Sequence, residues 1–490
     1  MTKKIAIIGG GFSGLSSATY LAKEGFDVTI FEKNSTVGGR NRKFSAEGFT
    51  FEMGPSWYWM PQVFDAYFND FKKERENYYA LTKLNPSFSI VFKEFEKLDI
   101  PSEEKDLIAF FENIEKGAGE RFQAFMLDAK YKYDSSMTNL ILKPGKSIFE
   151  FFEWEVIKGV FKLHLFSNFK KFVRKYFKDE RLTNLMDFPV LFLGSAPENT
   201  PALYSLMNYA GLLLGTWYPE KGMYRIIESM EELAVELGVK IHTNHEVSNV
   251  LLTDNNVSGL VINGETYEFD AVIASGDYKH METLLPPSFR NYTDDYWATR
   301  TLAPSSLIFF LGFDKKIHSI EHHTLFFDES LEKHTEQIYF DPKWPEKPLF
   351  YVCAPSKTDP SVAPENCENI FILIPIAAGL EDNEEIREKY FNIIIDRLEK
   401  QVEEPIKEHI IYKKSYCIND FKADYHSYKG NAYGLANTLR QTAILKPKLN
   451  NKKLKNLIYA GQLTVPGPGV PPALISGKLA ANELITYFKK

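Results

Sequence analysis

Short runs of consecutive apolar residues alternate along this chain with stretches whose apolar positions repeat every three or four residues. Lys4 to Ile8 (KIAII) is a β-branched run that predicts a buried strand, the helical spacing that follows extends through Lys23, and Val28 to Phe31 predicts a second strand. The same grammar returns later, with a helix over Ile226 to Leu237, a strand over Lys240 to Thr243 and another over Ala271 to Ala274. It returns again at the end, where the strand-like Asn456 to Tyr459 precedes a helix from Ala473 to about Phe488. Between Pro287 and Ile444 the strand-like runs Ser306 to Phe313, Thr324 to Phe327 and Ile370 to Ile376 accompany a helical pattern from Asn383 to Lys400, which predicts a sheet floored by helices. The chain shows no internal repeat or low-complexity tract.

The first strand runs directly into Gly9-Gly10-Gly11-Phe12-Ser13-Gly14, so Gly9, Gly11 and Gly14 form a G-x-G-x-x-G turn between strand and helix, with Phe12 and Ser13 opening the helix. The second strand ends at Glu32, followed by Lys33. Strand, spacing, helix and acid together predict a dinucleotide-binding βαβ unit. In it Gly9 permits the turn, Gly11 admits a pyrophosphate, Gly14 lets helix and strand close up, and Glu32 accepts from ribose hydroxyls while repelling a 2′-phosphate. NADP is thereby disfavoured, and FAD and NAD remain open at this motif.

Next come Gly38-Gly39-Arg40 and Gly54-Pro55-Ser56. By residue type alone, the glycines permit positive φ and Arg40 is either an anion partner or a solvated surface charge. The two segments resemble the G-G-R and G-P-S segments of amine-oxidase-like flavoproteins, which implies that Arg40 pairs with the FAD pyrophosphate and that Gly54 to Ser56 approach the isoalloxazine. The resemblance continues at Val247, whose backbone it places on the adenine, and at Ser275 after the strand Ala271 to Ala274. It resumes at Gly461 and Gln462, where related proteins usually carry an acid in place of Gln462, and at Gly469-Val470 feeding the last helix. Together with Gly215 to Tyr224, His322-His323 and the ending Gly461 to Gly477, these segments resemble bacterial-type phytoene desaturases over nearly the whole chain. That resemblance implies a discontinuous α/β, Rossmann-like FAD domain (1–80, 215–286 and 445–490), a helical, membrane-facing subdomain (81–214) and a mixed-sheet substrate domain (287–444). It also implies hydride transfer from a C40 polyene such as phytoene to flavin N5, with proton loss from the adjacent carbon, and oxygen or quinone as electron acceptor. No residue stands out as an obligatory base. Glu52, Glu231, His322 and His323 are candidates only because they lie in family-like segments. A later, hydroxylated carotenoid, a flavin-dependent polyene isomerisation and a flavin-free lipid escort are the alternatives, whereas an amine oxidase lacks support because no acidic amine-binding signature is present.

Composition narrows this picture. The chain has 490 residues, 44% of them hydrophobic, and a net charge of −7, which argues against a nucleic-acid partner. Cys353, Cys367 and Cys417 lie far apart, with no C-x-x-C spacing and no His cluster near them in sequence, so neither a disulfide framework nor a metal site is expected. No apolar window approaches the roughly 20 residues of a spanning helix, and the N-terminus does not read as a secretory signal, so the expectation is a cytoplasmic protein peripheral to the inner face of the membrane. The stretch Ser147 to Leu182 interleaves rings (Phe149, Phe151, Phe152, Trp154, Phe161, Phe166, Phe169, Phe172, Tyr176, Phe177) with cations (Lys158, Lys162, Lys170, Lys171, Arg174, Lys175, Lys178, Arg181). This reads either as an interfacial amphipathic helix or as a core-facing helix with a solvated basic face. Trp57 to Met60, with Phe64, Tyr67 and Phe68, offers apolar area that suits a long apolar substrate or packs a domain junction.

Overall fold

The computed structural model describes residues 2–147, 167–192, 194–438 and 440–489. Lys4–Ile8 is the middle strand of a five-stranded parallel sheet in the order Leu457–Tyr459, Ala271–Ala274, Lys4–Ile8, Asp27–Phe31, Lys240–His242. Its unbroken apolar run follows from cover on both faces. Ile5 and Ile7 face the core that holds the helices Phe12–Lys23 and Val470–Phe488, whereas Ala6 and Ile8 face Val250, Leu260 and Ile262 of a three-stranded antiparallel sheet. Strands far apart in the chain thus build one sheet, and the Rossmann-like unit is discontinuous.

A seven-stranded mixed sheet lies across from it, in the order Ile410–Tyr416, Ser305–Phe313, Glu368–Ile376, Phe350–Cys353, His323–Phe326, Phe88–Val91, Lys97–Ile100. The period-two alternation of Ser305–Phe313 assigns its faces. Leu307, Phe309, Leu311 and Phe313 pack on Phe391, Ile394, Ile395 and Leu398 of the helix Glu384–Val402, while Ile308 and Phe310 turn to the other face. Burying one such aliphatic or phenyl side chain contributes about 1.5–3 kcal/mol, so both faces of this strand are strongly fixed. Asn383 caps the helix by accepting from Ile386 N–H. The hairpin Lys43–Ala46/Phe49–Glu52 stitches the two sheets, with Phe44 and Phe51 at 5.1 and 5.8 Å from the Phe310 ring.

Two readings of the sequence are corrected here, and one that stood between two alternatives is narrowed. Phe88–Val91 and Lys97–Ile100, assigned to a helical subdomain, are strands of the seven-stranded sheet, because Phe88–Val91 pairs in parallel with His323–Phe326 more than 200 residues away. The last helix begins at Val470 rather than Ala473, since Pro471 and Pro472 occupy its first turn, where a missing N–H costs nothing. In the helix Phe169–Tyr176, the rings of Phe169 and Phe172 are buried, as is Phe177 just beyond it, and Lys170 and Arg174 pair with Glu198 and Asp187 at 2.5 and 2.9 Å. Of the two readings of the aromatic-basic stretch, the helix Phe169–Tyr176 fits the core-facing one, with two of its cations, Lys170 and Arg174, paired. Phe149, Phe151, Phe152, Trp154, Lys158, Phe161, Lys162 and Phe166 lie outside the described residues. Among the described residues no helix is long and apolar enough to cross a membrane.

Candidate active site

A cavity of about 450 Å³ extends from the C-terminal ends of the parallel strands to the Ile308 face of the seven-stranded sheet. Every residue the sequence proposes for the cofactor lines it except Gly14: Gly9, Gly11, Phe12, Ser13, Glu32, Lys33, Gly38, Gly39, Arg40, Gly54, Pro55, Ser56, Val247, Ser275, Gly461, Gln462, Gly469 and Val470. The three fingerprint glycines divide by role. Gly9 turns the chain at φ +99. Gly14 is a packing glycine, for a Cβ there would stand 2.0 Å from the Gly9 carbonyl oxygen. Gly11 needs neither explanation: its φ is −79, and a Cβ would meet only Gly39, at 3.7 Å. The space over Gly11 is a cradle that the protein itself leaves clear, which fits a cofactor's pyrophosphate.

Glu32 is buried, and its carboxylate accepts from Gly10 N–H (2.9 Å), Asn34 N–H (2.9 Å) and Asn34 Nδ2–H (2.8 Å). Since a carboxylate offers about four acceptor sites, one lobe remains for a ribose hydroxyl. Lys33 instead donates to the Ala423 carbonyl at 2.6 Å, and the Ser275 hydroxyl points at the carbonyls of Ile8 and Gly9, so Ser275 contributes backbone to the cavity.

Arg40 carries the strongest electrostatic signal. Its guanidinium donates to Ser427 Oγ (3.2 Å) and the Asn431 carbonyl (3.3 Å). With the Gln462 amide oxygen turned toward it, Gln462 accepts from the same group at 3.0 and 3.3 Å. These partners are neutral, Nε has none, and no carboxylate is in ion-pair contact among the described residues. Burial pushes this guanidinium below its ordinary range, with the Asp277 carboxylate opposing the shift. An enclosed cation held by neutral acceptors suits an anionic ligand. The glycine cradle, the Glu32 lobe and Arg40 therefore fit FAD, and the positive end of the helix Val470–Phe488 joins them through Gly469 and Val470.

The far end of the cavity is different. Trp57, Trp59, Phe188, Leu325, Phe327 and Leu373 form its wall, and the charged groups that line the cavity belong to the cofactor end. His334 is spent within the protein, accepting from Leu349 N–H and donating to the Pro375 carbonyl, both at 2.8 Å, and burial holds it down to about 4. Tyr351 OH lies 2.9 Å from Ser56 Oγ and 2.6 Å from His323 Nδ1. Sequence reasoning missed Ser427, Asn431 and Tyr351, which reach the site only through tertiary folding.

None of the four base candidates lines the cavity. Glu231 lies on the helix Tyr224–Glu236, while His322 and His323 stand behind Trp57. Glu52 accepts from Tyr224 N–H at 3.0 Å, and burial pushes it from 4.5 up to about 8. The folded protein keeps a proton that the unfolded chain releases, so the stabilising contribution is full below about pH 4.5 and lost as pH rises toward 8, at roughly 1.4 kcal/mol per pH unit. Glu52→Gln, which keeps the acceptor, is expected to flatten that slope. Urea midpoints at pH 5, 6.5 and 8 check this, and parallel slopes for both proteins would show that Glu52 ionises freely.

The family sequence model described as "Flavin containing amine oxidoreductase" matches residues 12–485. A carotenoid 3,4-desaturase of Haloarcula japonica is 37% identical over 483 residues, covering 98% of each chain. A 4,4′-diapophytoene desaturase (4,4′-diaponeurosporene-forming) of Staphylococcus aureus is 29% identical over 495 residues, also covering 98% of each. Among solved structures, an oxidoreductase from Methanosarcina mazei superposes with a TM-score of 0.64 at 16% identity, covering 99% of this chain and 100% of its own. Cyclohexylamine oxidase from Brevibacterium oxydans superposes at 0.60 with 12% identity, covering 100% of both. The fold is shared with these two oxidoreductases, and the match over the full length agrees with the glycine cradle and the Arg40 site. This chain belongs to the flavin-containing amine oxidoreductases, in their carotenoid desaturase branch, and is an FAD-dependent oxidoreductase.

Proposed function

We propose that this chain desaturates a C40 carotenoid, taking phytoene toward lycopene. The observation that carries the reading is the two-part cavity: a cradle for an anionic dinucleotide continues into a wall of rings and aliphatic side chains without a charged group. A protonated amine would find no counter-charge there, whereas a polyene needs none. Bound FAD supplies a two-electron hydride acceptor. Glu32 and Arg40 fix the cofactor by its ribose and diphosphate, Gly11 lets the backbone come close, and Gly54 to Ser56 carry the chain to the junction of the two cavity ends. Trp57, Trp59 and Phe188 exclude water and hold an extended chain in register. The same apolar wall accepts a substrate drawn from a membrane, and a cytoplasmic, peripheral placement suits that route. No carboxylate or free imidazole lines that end, so the wall singles out no base for the proton of the neighbouring carbon.

A second substrate is favoured by the higher identity to a carotenoid 3,4-desaturase, namely a later carotenoid. Expression in one bacterial host accumulating phytoene and another accumulating lycopene, followed by chromatography of the pigments, separates the two. New coloured products in the first host are expected. A product of longer-wavelength absorbance in the lycopene host alone would transfer the assignment to the second substrate. Unchanged pigments in both, from soluble FAD-loaded protein, would reject phytoene and lycopene as substrates and move the assignment to a hydroxylated carotenoid.

A further inference from the structure

Behind the apolar wall, strand pairing assembles a cluster that the linear sequence disperses. In the antiparallel ladder between His323–Phe326 and Phe350–Cys353, Cys353 stands directly opposite His323, and His322 immediately precedes that strand. The three are 6%, 0% and 4% exposed. One donor atom from each, an imidazole nitrogen or the thiol sulfur, lies within 4.8 Å of the others.

The two imidazoles are bonded in the same way. His322 Nδ1 is 2.6 Å from Thr358 Oγ1, and His323 Nδ1 is 2.6 Å from Tyr351 OH. The Nε2 atom of each is buried and has no partner. Buried polar atoms are ordinarily satisfied, so two unsatisfied ring nitrogens in a cluster that also holds a thiol, itself in contact with Tyr351, point to a shared partner. A hydroxyl on the far nitrogen of each ring is the arrangement that orients metal-bound histidines. The Asp359 carboxylate lies near enough to act electrostatically on His322, which suits an added positive charge.

We propose that His322, His323 and Cys353 bind a divalent metal ion of borderline softness, zinc being the cation that imidazole and thiolate donors suit best. Binding forms two N–metal bonds and one S–metal bond. The Cys353 S–H bond breaks heterolytically and its proton leaves to solvent, so no oxidant or reductant is required. With Nε2 ligated, His323 Nδ1 must carry the hydrogen and donate it to Tyr351, which in turn frees the Tyr351 hydroxyl to donate to Ser56. The His323 ring also stacks on Trp57 at 4.1 Å. The ion thus fixes both Ser56 and Trp57, two residues that line the cavity, and acts as a clasp on its wall rather than as a reactant.

The test is metal analysis of untagged FAD-loaded protein, expressed in separate cultures supplemented with zinc, cobalt, nickel or copper and dialysed exhaustively. About one equivalent of metal per chain is expected, as for a structural site coupled to folding. Cys353→Ser is expected to lower the content at least roughly tenfold at unchanged flavin absorbance, and Tyr351→Phe, which keeps all three ligands, to weaken retention against a competing chelator by about 10- to 100-fold. If Cys353→Ser does not fold, stripping and reloading the natural protein with cobalt gives the second reading, since cobalt bound to a thiolate adds an absorption band absent from a nitrogen and oxygen site. Metal content below about a tenth of an equivalent from every culture would overturn the proposal. So would a full equivalent that survives Cys353→Ser with no change in the cobalt spectrum.

Discussion

Arg40→Met is expected to strip FAD from the protein while leaving the apoprotein folded and at least as stable as the unaltered chain. The two halves of this result have one cause. Arg40 is enclosed, its acceptors are the neutral Ser427, Asn431 and Gln462, and no carboxylate pairs with it among the described residues. The apoprotein therefore carries a buried charge that Asp277 offsets only without direct contact, and methionine of similar length removes it without loss of an ion pair. With FAD present, the guanidinium becomes one partner of a hydrogen-bonded charge pair, and truncating such a partner costs about 2–5 kcal/mol. At about 1.4 kcal/mol per decade this weakens FAD binding by roughly 30-fold to several thousandfold. Flavin-to-protein ratios from absorbance, together with urea unfolding of the apoproteins, check both halves. Full flavin content in Arg40→Met would remove Arg40 from the cofactor site. Lost flavin together with a large loss of apoprotein stability would mean that Arg40 supports the fold instead.

The sequence made the cofactor end legible because its chemistry is local. Gly9, Gly11, Gly14 and Glu32 fall within one βαβ unit, so strand period, glycine spacing and acid could be read together without knowing what packs on what. The groups that hold Arg40 are nearly 400 residues away in the chain, on a segment with no motif of its own, and only the closure of the fold brings Ser427 and Asn431 to it. The same holds for Cys353 and His323. Nothing in their spacing shows that they face each other, since register between strands is set by sheet pairing. The aromatic-basic stretch was ambiguous for a different reason. A stripe of rings opposite a row of lysines satisfies both a bilayer and a protein core. In the helix Phe169–Tyr176 the choice is made by Asp187 and Glu198, which pair with Arg174 and Lys170 and turn Phe169 and Phe172 inward.

A second pair of substitutions separates what the glycine turn does for the fold from what it does for the cofactor. Gly14→Ala would place its methyl 2.0 Å from the Gly9 carbonyl oxygen and 2.7 Å from Ser275 Oγ. Neither neighbour can retreat: Gly9 ends the central strand of the parallel sheet, and Ser275 is bonded to that strand's last carbonyls. The helix Phe12–Lys23 must therefore move off the strand, although it is also packed on the helix Val470–Phe488, where Gly477 faces the Ser13 carbonyl so closely that a Cβ would lie 2.4 Å from it. Overpacking of this kind costs about 1–3 kcal/mol where the surroundings can yield, and more where they cannot. Gly14→Ala is therefore expected to lower the thermal midpoint of the apoprotein sharply or to send the chain into inclusion bodies. Gly11→Ala should do the reverse. Its φ is one that alanine adopts freely, and its methyl would make an ordinary contact of 3.7 Å with Gly39, so the apoprotein's midpoint should not move. The methyl does fill the cradle beside Arg40, and flavin occupancy should fall by roughly tenfold or more, the size of a steric change of about 1.4 kcal/mol. Scanning calorimetry of both apoproteins and flavin titration of Gly11→Ala decide the matter. A Gly11→Ala protein that binds FAD normally would mean that the pyrophosphate does not cross this turn, and a Gly14→Ala protein of unchanged stability would mean that helix and strand are less tightly closed than the 2.0 Å approach requires.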